Sequence, residues 1–394
     1  MKIACVVHRY GADIAGGSEG HCRLIAEHLA GAHDVTVVTT TAHDHVTWAN
    51  HYAPGATEVG GVKVLRFPVE RQRDLHRFRD ISDIVFADRG TVEDEAAWFR
   101  ENGPYTPALL TFLEQSGGQF DLVLFWAFRY FNSYFGLPLV ESRAILVPTA
   151  EDDPLIRVDS LRQFFARPNG YLFLTPEEEA LIGRRAPMSI PRRVIGCGVD
   201  PPGAVDRSKL DAVGVAGPYV LYLGRIDPNK GCETLVRHFQ RYIARADLSG
   251  ASASVSLVLA GPSNMPVPDH PRIRSLGYVD DVTRNALLAG AQALVMPSPY
   301  ESLSMVLLES WNHGTPALVN ARCAVLKGQV LRADGGLYYQ NAMEFAGALD
   351  YLLEHRDVAE RLGSQGRAYV ECEYRWPTVL AKIESLLTEV AKRA

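Results

Sequence analysis

The chain has 394 residues, of which 47% are apolar and 22% are charged, and its formal net charge is −6. This length is sufficient for two α/β domains, and the composition is that of an ordinary globular protein. The negative charge argues against nucleic acid as the main partner. The six cysteines lack metal-site spacing, so we expect reduced thiols, no structural zinc and a cytoplasmic location.

No apolar run is long enough for a membrane span. The N-terminal run in MKIACVVHRY is too short for a signal peptide, and no other run approaches the roughly 20 apolar residues of a spanning helix. We therefore expect a chain that does not cross a membrane.

Short apolar runs alternate with helical segments in two series. The first series is KIACVV, DVTVVTT, VKVLRF, DLVLFW, AILVPT and YLFLT, and the second is YVLYLGR, SVSLVLAG, IRSLGY, ALVMPS and PALVN. Such alternation is typical of parallel strands joined by helices. We predict an α/β protein with two Rossmann-like, doubly wound parallel-sheet domains. A linker rich in Gly and Pro at 196–206 separates the two domains. A polar segment with a helical pattern at 69–118 predicts a helical insertion in the first domain.

The first strand ends in a glycine loop, GADIAGGSEG, that leads into an amphipathic helix. Gly16 and Gly17 would bring bare backbone N–H groups close to a phosphate at the start of that helix. The loop lacks GxGxxG spacing, so a plain strand-to-helix turn is the alternative.

Two cations follow the first strand of the second series, in GRIDPNKG. Arg225 and Lys230 lie where the carboxyl ends of parallel strands bind ligands, and together they suit a diphosphate. Two solvated loop charges are the alternative.

Two glutamates flank the apolar run in PYESLSMVLLES. The pattern predicts a strand, a turn and then a helix starting near residues 302–304, whose first N–H groups form an anion site. Eight residues of helix rise about 12 Å, which is the span from sugar to ribose in a nucleotide sugar. Glu301 is therefore a candidate for sugar hydroxyls and Glu309 for the ribose diol. An exposed helix with incidental glutamates is the alternative, although Glu309 lies in an apolar context.

Other candidate polar residues follow the ends of strands in the first series. Glu151, Asp152 and Asp153 form an acidic turn at a helix start or a sugar contact, and we do not expect them to bind a metal in this fold. His8 and Arg9 are candidate acceptor contacts or ordinary loop residues.

The insertion carries a basic run, ERQRDLHRFR. Its arginines are Arg71, Arg73, Arg77 and Arg79. Interspersed acidic residues and the absence of a large apolar face favour a solvated helix over a weak contact with anionic lipid at the inner face of the cell membrane.

Three motifs in order, GGSEGHCRLIAEHLA, GRIDPNKG and PSPYESLSMVLLESWNHGTPALVNA, resemble the retaining glycosyltransferases of family 4, which have the GT-B fold. The last contains the E-x7-E signature of that family, and the resemblance continues to the terminal YVECEYRWPTVLAKIESLL. It covers almost the whole chain except 69–118. The resemblance implies an N-terminal acceptor domain at 1–198, completed by a C-terminal helix at 376–394, and a donor domain at 199–375, with the two facing a cleft.

The implied activity is transfer of a sugar from a nucleotide diphosphate sugar to an acceptor hydroxyl, with retention at the anomeric carbon. Neither a metal nor a cofactor is implied beyond the donor itself. Arg225 and Lys230 would neutralise the leaving diphosphate, Glu301 would hold the donor sugar and Glu309 the ribose. Further implied donor contacts are Gly16, Gly17, Gly224, Val279, Leu303, Ser304 and Met305, with the base near 277–279.

Two positions depart from the family pattern. Glu151 stands where relatives usually place a histidine that meets the donor sugar, and Leu303-Ser304 replaces the usual Phe-Gly. The alternatives to a glycosyltransferase are an epimerase or hydrolase acting on nucleotide sugars, and a catalytically weak nucleotide-sugar binding protein. UDP, GDP, ADP or dTDP, and a glycan, lipid-linked or small-molecule acceptor, are all compatible with these motifs.

Overall fold

The computed structural model describes residues 1–14, 16–87, 89–248 and 255–393. The chain divides into two units, Met1–Cys197 with Val379–Ala394, and Gly198–Thr378. Asp88 of the predicted insertion and Ala394 of the predicted last helix lie outside the described residues.

The first unit contains an eight-stranded sheet. Its strands are β1 (Lys2–Val6), β2 (Asp34–Thr40), β3 (Gly55–Val59), β4 (Val62–Phe67), β5 (Leu122–Trp126), β6 (Ala144–Val147), β7 (Gly170–Phe173) and β8 (Arg192–Val194). The spatial order is β3-β4-β2-β1-β5-β6-β7-β8, and all pairs are parallel except β3 with β4. The central strands β1 and β5 are almost entirely buried, as expected where helices cover both faces of a parallel sheet.

Within the described residues, seven helices of the first unit precede the linker. They are α1 (Gly17–Leu29), α2 (Leu75–Phe86), α3 (Val92–Asn102), α4 (Pro107–Ser116), α5 (Phe131–Gly136), α6 (Ser160–Phe164) and α7 (Pro176–Gly183). Short 3-10 turns lie at Gly117–Gln119, Leu137–Arg143 and Pro154–Arg157.

The region predicted as a helical insertion contains α2, α3 and α4. Asp74 caps α2 by accepting the backbone N–H groups of His76 and Arg77, and Thr91 forms a reciprocal capping box with Asp94 at α3.

Most of α2 is exposed, and it carries Arg77 and Arg79 of the basic run. Arg71 and Arg73 precede α2 and contact the protein instead, since Arg71 pairs with Glu101 at 2.8 Å and Arg73 donates to the backbone carbonyl of Asn102 at 3.1 Å. The solvated helix favoured from the sequence therefore describes only the second half of the run.

The second unit contains a six-stranded sheet in which every pair is parallel. Its strands are β9 (Tyr219–Leu223), β10 (Ser256–Ala260), β11 (Ile273–Gly277), β12 (Ala293–Met296), β13 (Ala317–Asn320) and β14 (Gly336–Tyr339), in the order β11-β10-β9-β12-β13-β14. The helices are α8 (Ser208–Ala212), α9 (Cys232–Leu248), α10 (Asp281–Gly290), α11 (Met305–Asn312), α12 (Ala324–Ala333), α13 (Ala342–Glu354) and α14 (Arg356–Glu373). A 3-10 turn lies at Pro228–Lys230.

The last helix, α15 (Trp376–Ala391), begins in the second unit and belongs to the first unit from Val379 onward. Its buried apolar residues in the first unit are Val379, Ile383, Leu386, Leu387 and Val390. The first unit is therefore built from two chain segments that are distant in sequence.

The structure corrects three sequence predictions. β3, β8 and β14 were not predicted, and β3 makes the first sheet mixed rather than purely parallel. The helix in PYESLSMVLLES begins at Met305, so residues 301–304 are loop and the 12 Å helical spacing between Glu301 and Glu309 was wrong.

Among the described residues, no helix combines the length and apolarity that a membrane crossing requires.

Candidate functional site

Each sheet has one point where the strand order reverses. In the second sheet the chain moves outward from β9 through β10 to β11 and then returns to place β12 on the other side of β9. In the first sheet β1 and β5 are related in the same way. The loops at the carboxyl ends of such strand pairs diverge and leave room for a ligand.

The loop after β9 carries the two predicted cations. The Nε atom of Arg225 lies 3.4 Å from Oδ2 of Asp227. Oδ2 also accepts a hydrogen bond from the Asn264 amide, and Oδ1 of Asp227 accepts one from the Asn229 backbone N–H. Burial opposes ionisation of Asp227, but these hydrogen bonds and Arg225 hold the pKa of Asp227 below its ordinary value. Asp227 thus stays ionised and orients Arg225.

Lys230 and Glu301 meet above the neighbouring ends of β9 and β12. Nζ of Lys230 lies 3.0 Å from Oε1 of Glu301, and the two side chains are 30% and 12% exposed. Gly231 has a left-handed backbone, and a Cβ there would overlap the carbonyl of Pro297. Glycine therefore lets the cation-bearing turn pack directly against the loop after β12.

The helix α11 starts shortly after Glu301 in the sequence. Ser304 is the N-cap residue, and its hydroxyl accepts the backbone N–H of Leu307 at 3.3 Å. The first N–H groups of a helix that stay unpaired favour an anion. The replacement of Phe-Gly by Leu303-Ser304 therefore supplies a cap and retains the backbone donors.

Glu309 lies one turn into α11 and is paired with a cation. Its Oε2 atom is 4.0 Å from Nε of Arg284, and 31% of its side chain is exposed. Although the side chain reaches solvent, the surrounding protein desolvates the carboxyl group and raises its pKa, which Arg284 partly offsets. Arg284 thus lowers the free-energy cost of placing an ionised Glu309 in this apolar part of the sequence.

The remaining predicted donor contacts are backbone turns. Gly224 follows β9 with a φ of 139°, and Gly277 ends β11 with a φ of 68°. Val279 is half-buried in the turn before α10, whose N-cap Asp280 accepts the Thr283 N–H. These turns share the carboxyl edge of the sheet with Lys230 and Glu301.

In the first sheet, the predicted glycine pair starts α1. Gly16 is the N-cap residue, and a Cβ there would overlap the carboxylate of Glu19, whereas a Cβ on Gly17 would meet no atom within 4 Å. Gly16 therefore makes room for Glu19, and Gly17 leaves open space at the helix start.

His8 and Arg9 surround Glu19. Nε2 of His8 lies 2.9 Å from Oε1 of Glu19, and a guanidinium nitrogen of Arg9 contacts the same oxygen. Burial opposes ionisation of Glu19, yet His8 and Arg9 hold its pKa well below the ordinary value. His8 is 1% and Arg9 8% exposed, so both support the glycine loop. A contact with an acceptor stays a prediction for them.

Glu151 and Asp153 share one arginine that follows β5. A terminal nitrogen of Arg129 lies 3.4 Å from Oε2 of Glu151 and 3.0 Å from Oδ2 of Asp153. Asp152 instead points to Arg157 at 3.4 Å and is largely exposed. The predicted acidic turn is therefore a charge cluster in which Arg129 orients Glu151.

Glu178 of α7 holds the same turn through hydrogen bonds to the backbone. The two carboxylate oxygens of Glu178 accept the backbone N–H groups of Ala150 and Leu174, each at 2.6 Å. Burial raises the pKa of Glu178 to about 8, against the opposing effect of these two hydrogen bonds. Glu178 thus joins the carboxyl ends of β6 and β7.

Sequence reasoning missed Glu19, Arg129 and Glu178. Glu19 and Glu178 occupy the third position of their helices, where a carboxylate commonly folds back over the helix start, so this signal was available. Arg129 has no comparable signal, because its partners follow the next strand and become neighbours only when β5 pairs with β6.

Part of the second unit matches a known family. Residues 217–355 match the family model described as Glycosyl transferases group 1. The chain is similar to the lipopolysaccharide core biosynthesis glycosyltransferase LpsE of Rhizobium meliloti (strain 1021), with 32% identity over 174 residues, 41% of this chain and 47% of that protein. The similarity thus spans about half the length of that relative.

Solved structures resemble the chain over its full length. A sucrose-phosphate synthase from Thermosynechococcus elongatus superposes with a TM-score of 0.71 at 18% identity and covers 100% of both chains. HepE from Anabaena, solved in complex with UDP and glucose, has a TM-score of 0.70 at 14% identity and covers 99% of this chain and 100% of that chain. At these identities the likeness concerns the fold, and it confirms the predicted GT-B fold class.

Proposed function

We propose that this protein is a retaining glycosyltransferase of family 4. It transfers a sugar from a nucleotide diphosphate sugar to an acceptor hydroxyl and requires no metal cofactor. The match of residues 217–355 to Glycosyl transferases group 1 supports a donor site in the second unit. The scattered cysteines, which lack the spacing of a metal site, support a cytoplasmic location.

The observation that carries the proposal is the Lys230–Glu301 pair at the reversal point of the second sheet. A cation and a carboxylate 3.0 Å apart provide a group for phosphate oxygen and a group for sugar hydroxyls at adjacent positions. When a donor binds, its diphosphate replaces Glu301 as the ion-pair partner of Lys230, and its sugar hydroxyls donate hydrogen bonds to Glu301.

The chemistry proposed for this site needs no nucleophile from the protein. The bond from the anomeric carbon to the diphosphate oxygen breaks, and the acceptor oxygen bonds to the same face of that carbon. The acceptor proton passes to the leaving phosphate oxygen. Arg225, Lys230 and the first N–H groups of α11 stabilise the negative charge that develops on the diphosphate, which is commonly the largest electrostatic contribution to such a reaction.

In this proposal Glu309 binds the ribose and the turn at 277–279 binds the base. In the first unit, Gly17 leaves its backbone open to a phosphate group, and Glu151, oriented by Arg129, accepts a sugar hydroxyl. HepE was solved with UDP and glucose, so uridine nucleotides come first in the binding screen.

The first test is a thermal-shift screen of the full chain with UDP, GDP, ADP and dTDP, followed by the sugars of the nucleotide that binds. A bound ligand raises the melting temperature by mass action. Reaction products are then identified with labelled donor in the presence of EDTA, which should leave turnover unchanged. Free sugar would indicate a hydrolase, a changed sugar an epimerase, and binding without turnover a binding protein.

Substitutions at the ion pair test the assignment of the site. We expect Lys230→Ala and Glu301→Gln each to lower turnover by about 100-fold or more, by analogy with the loss of one preorganised group at a developing charge. Arg237→Ala removes an exposed cation from α9 and should leave turnover unchanged. Wild-type turnover in Lys230→Ala would refute the proposed donor site.

A further inference from the structure

The loop between β12 and α11, residues 297–304, is called the donor loop here because it carries Glu301. We propose that Gln329, in the middle of α12, is a positioning residue of the donor loop. It holds the Ser304 backbone so that Glu301 and the free N–H groups of α11 face the diphosphate sugar. The inference rests on the function proposed above.

One hydrogen bond connects α12 to the end of the donor loop. The backbone N–H of Ser304 donates to Oε1 of Gln329 at 3.1 Å, and the Gln329 side chain is fully buried, with 0% exposure. Because Gln329 is shielded from solvent, it acts on a ligand through the loop rather than by touching it.

This bond decides which N–H groups of α11 remain available. The first four N–H groups of a helix, here those of residues 304–307, have no partner within the helix. Gln329 takes the N–H of Ser304, and the Ser304 hydroxyl takes that of Leu307. Within the described residues, the N–H groups of Met305 and Val306 are then left for an anion.

Packing alone does not account for a glutamine at this position. The Ser304 N–H is a donor, so it faces the oxygen of the amide, and within the described part of the chain Nε2 of Gln329 has no hydrogen-bond partner. An unpaired buried donor costs free energy, whereas methionine would fill a similar volume without that cost. The acceptor oxygen at Ser304 offsets what the unpaired nitrogen loses.

The other end of the donor loop is held from the neighbouring strand. Nδ2 of Asn320, the last residue of β13, donates to the carbonyl of Pro297 at 3.0 Å and lies 3.4 Å from that of Ser298. Asn320 and Gln329 thus hold the two ends of the segment whose middle presents Glu301 to Lys230.

The test compares Gln329→Met, which removes the acceptor, with Gln329→Glu, which keeps one. The readouts are the Kd of UDP, GDP, ADP and dTDP by calorimetry, and amide hydrogen exchange of the peptide that contains residues 297–307. We expect Gln329→Met to raise the Kd of the bound nucleotide at least tenfold and to speed exchange in that peptide. Gln329→Glu should stay within about threefold of the wild-type Kd.

Ser310→Ala is the matched control. The Ser310 hydroxyl donates to the carbonyl of Thr315 at 3.1 Å, and Ser310 is equally buried but lies at the other end of α11. It should lower stability and leave the Kd unchanged. A Gln329→Met protein that binds nucleotide as tightly as wild type overturns the role of Gln329 alone. A wild type that binds none of the four overturns the proposed function and this role with it.

Discussion

Two buried carboxylates of the first unit respond in opposite ways to burial. Glu19 is desolvated but contacts Arg9 and His8, and its pKa is lowered. Glu178 is also desolvated, and its stabilising partners are the two backbone N–H groups of Ala150 and Leu174, so its pKa rises to about 8. The His8 and Arg9 side chains together outweigh the burial cost at Glu19, and two peptide dipoles do not outweigh it at Glu178.

The raised pKa of Glu178 predicts a pH dependence of stability. The folded state binds this proton up to about pH 8 and the unfolded state only to about pH 4.5, so stability falls as pH rises between these values. Glu178→Gln cannot titrate. We expect the stability of wild type relative to Glu178→Gln to fall by roughly 2–3 kcal/mol between pH 6 and pH 8.5, measured by urea unfolding. Glu177→Gln, one position earlier, should keep the wild-type dependence, and equal pH profiles for wild type and Glu178→Gln would contradict the interpretation.

At the scale of single elements, the start of α1 in the first unit and the start of α11 in the second unit are built alike. In both, a strand at the reversal point ends, a loop follows, and a helix begins with its first N–H groups near charged side chains. The two helix starts differ in their caps, since α11 uses the Ser304 hydroxyl and α1 uses Gly16 beneath the Glu19 carboxylate.

The adjacent glycines at α1 should respond differently to alanine. Gly16→Ala would displace the Glu19 carboxylate from Arg9 and should cost about 1–3 kcal/mol of stability. Gly17→Ala meets no neighbour within 4 Å and should not destabilise, but its methyl group would occupy the space open to a phosphate and weaken nucleotide diphosphate binding about tenfold. Denaturant unfolding and calorimetric Kd values separate the two effects.

A double substitution provides the control for this pair. If Gly16 makes room for Glu19, then Gly16→Ala should cost less in a Glu19→Ala background than in wild type. Additive costs, or the same loss of binding from both glycine variants, would show that the two positions do not have separate roles.

At the scale of the whole molecule, the first unit depends on the end of the chain. The five buried apolar residues of α15 pack within that unit, and Glu384 and Glu389 contact His33 and Arg193 at 2.8 and 3.0 Å. The second unit, in contrast, is one continuous segment, Gly198–Thr378.

A chain that ends at Thr378 should therefore lose the fold of the first unit. Burying each large apolar side chain stabilises by about 1.5–3 kcal/mol, so the loss of five is comparable with the roughly 5–15 kcal/mol that holds a typical domain together. Limited proteolysis should degrade the first unit of the truncated chain and spare the second. Glu389→Ala, which removes a half-exposed ion pair, should cost less than about 1 kcal/mol. A truncated chain with wild-type protease resistance would contradict this account.

Most strands were predictable because a parallel sheet covered on both faces needs continuous apolar runs. The missed strands lack that feature, since the residues of β3 are almost all exposed, β8 has three half-buried residues, and β14 is a short run in which only Tyr339 is buried. β3 is instead held by backbone pairing with β4 after the turn at Gly60 and Gly61. Backbone pairing of this kind leaves little trace in side-chain periodicity.

The sequence predicted Arg225, Lys230, Glu301 and Glu309 as site residues because each lies in a motif that follows a strand end, and strand ends share one edge of a parallel sheet. Their roles stay predictions. The contacts that hold these side chains were not predicted. Asp227 at Arg225, Arg284 at Glu309 and Gln329 at Ser304 are side chains of unremarkable local sequence, and only the packing of separate elements brings them into contact.

The sequence by itself determined the two-sheet architecture and the edge of each sheet where the charged residues lie, because periodicity and strand-end position are local properties of the chain. The tertiary structure decided which of those charges are paired, which N–H groups stay free, and which carboxylates are ionised. Those properties depend on burial and on distances of about 3 Å between residues far apart in sequence, and both arise only when the elements pack.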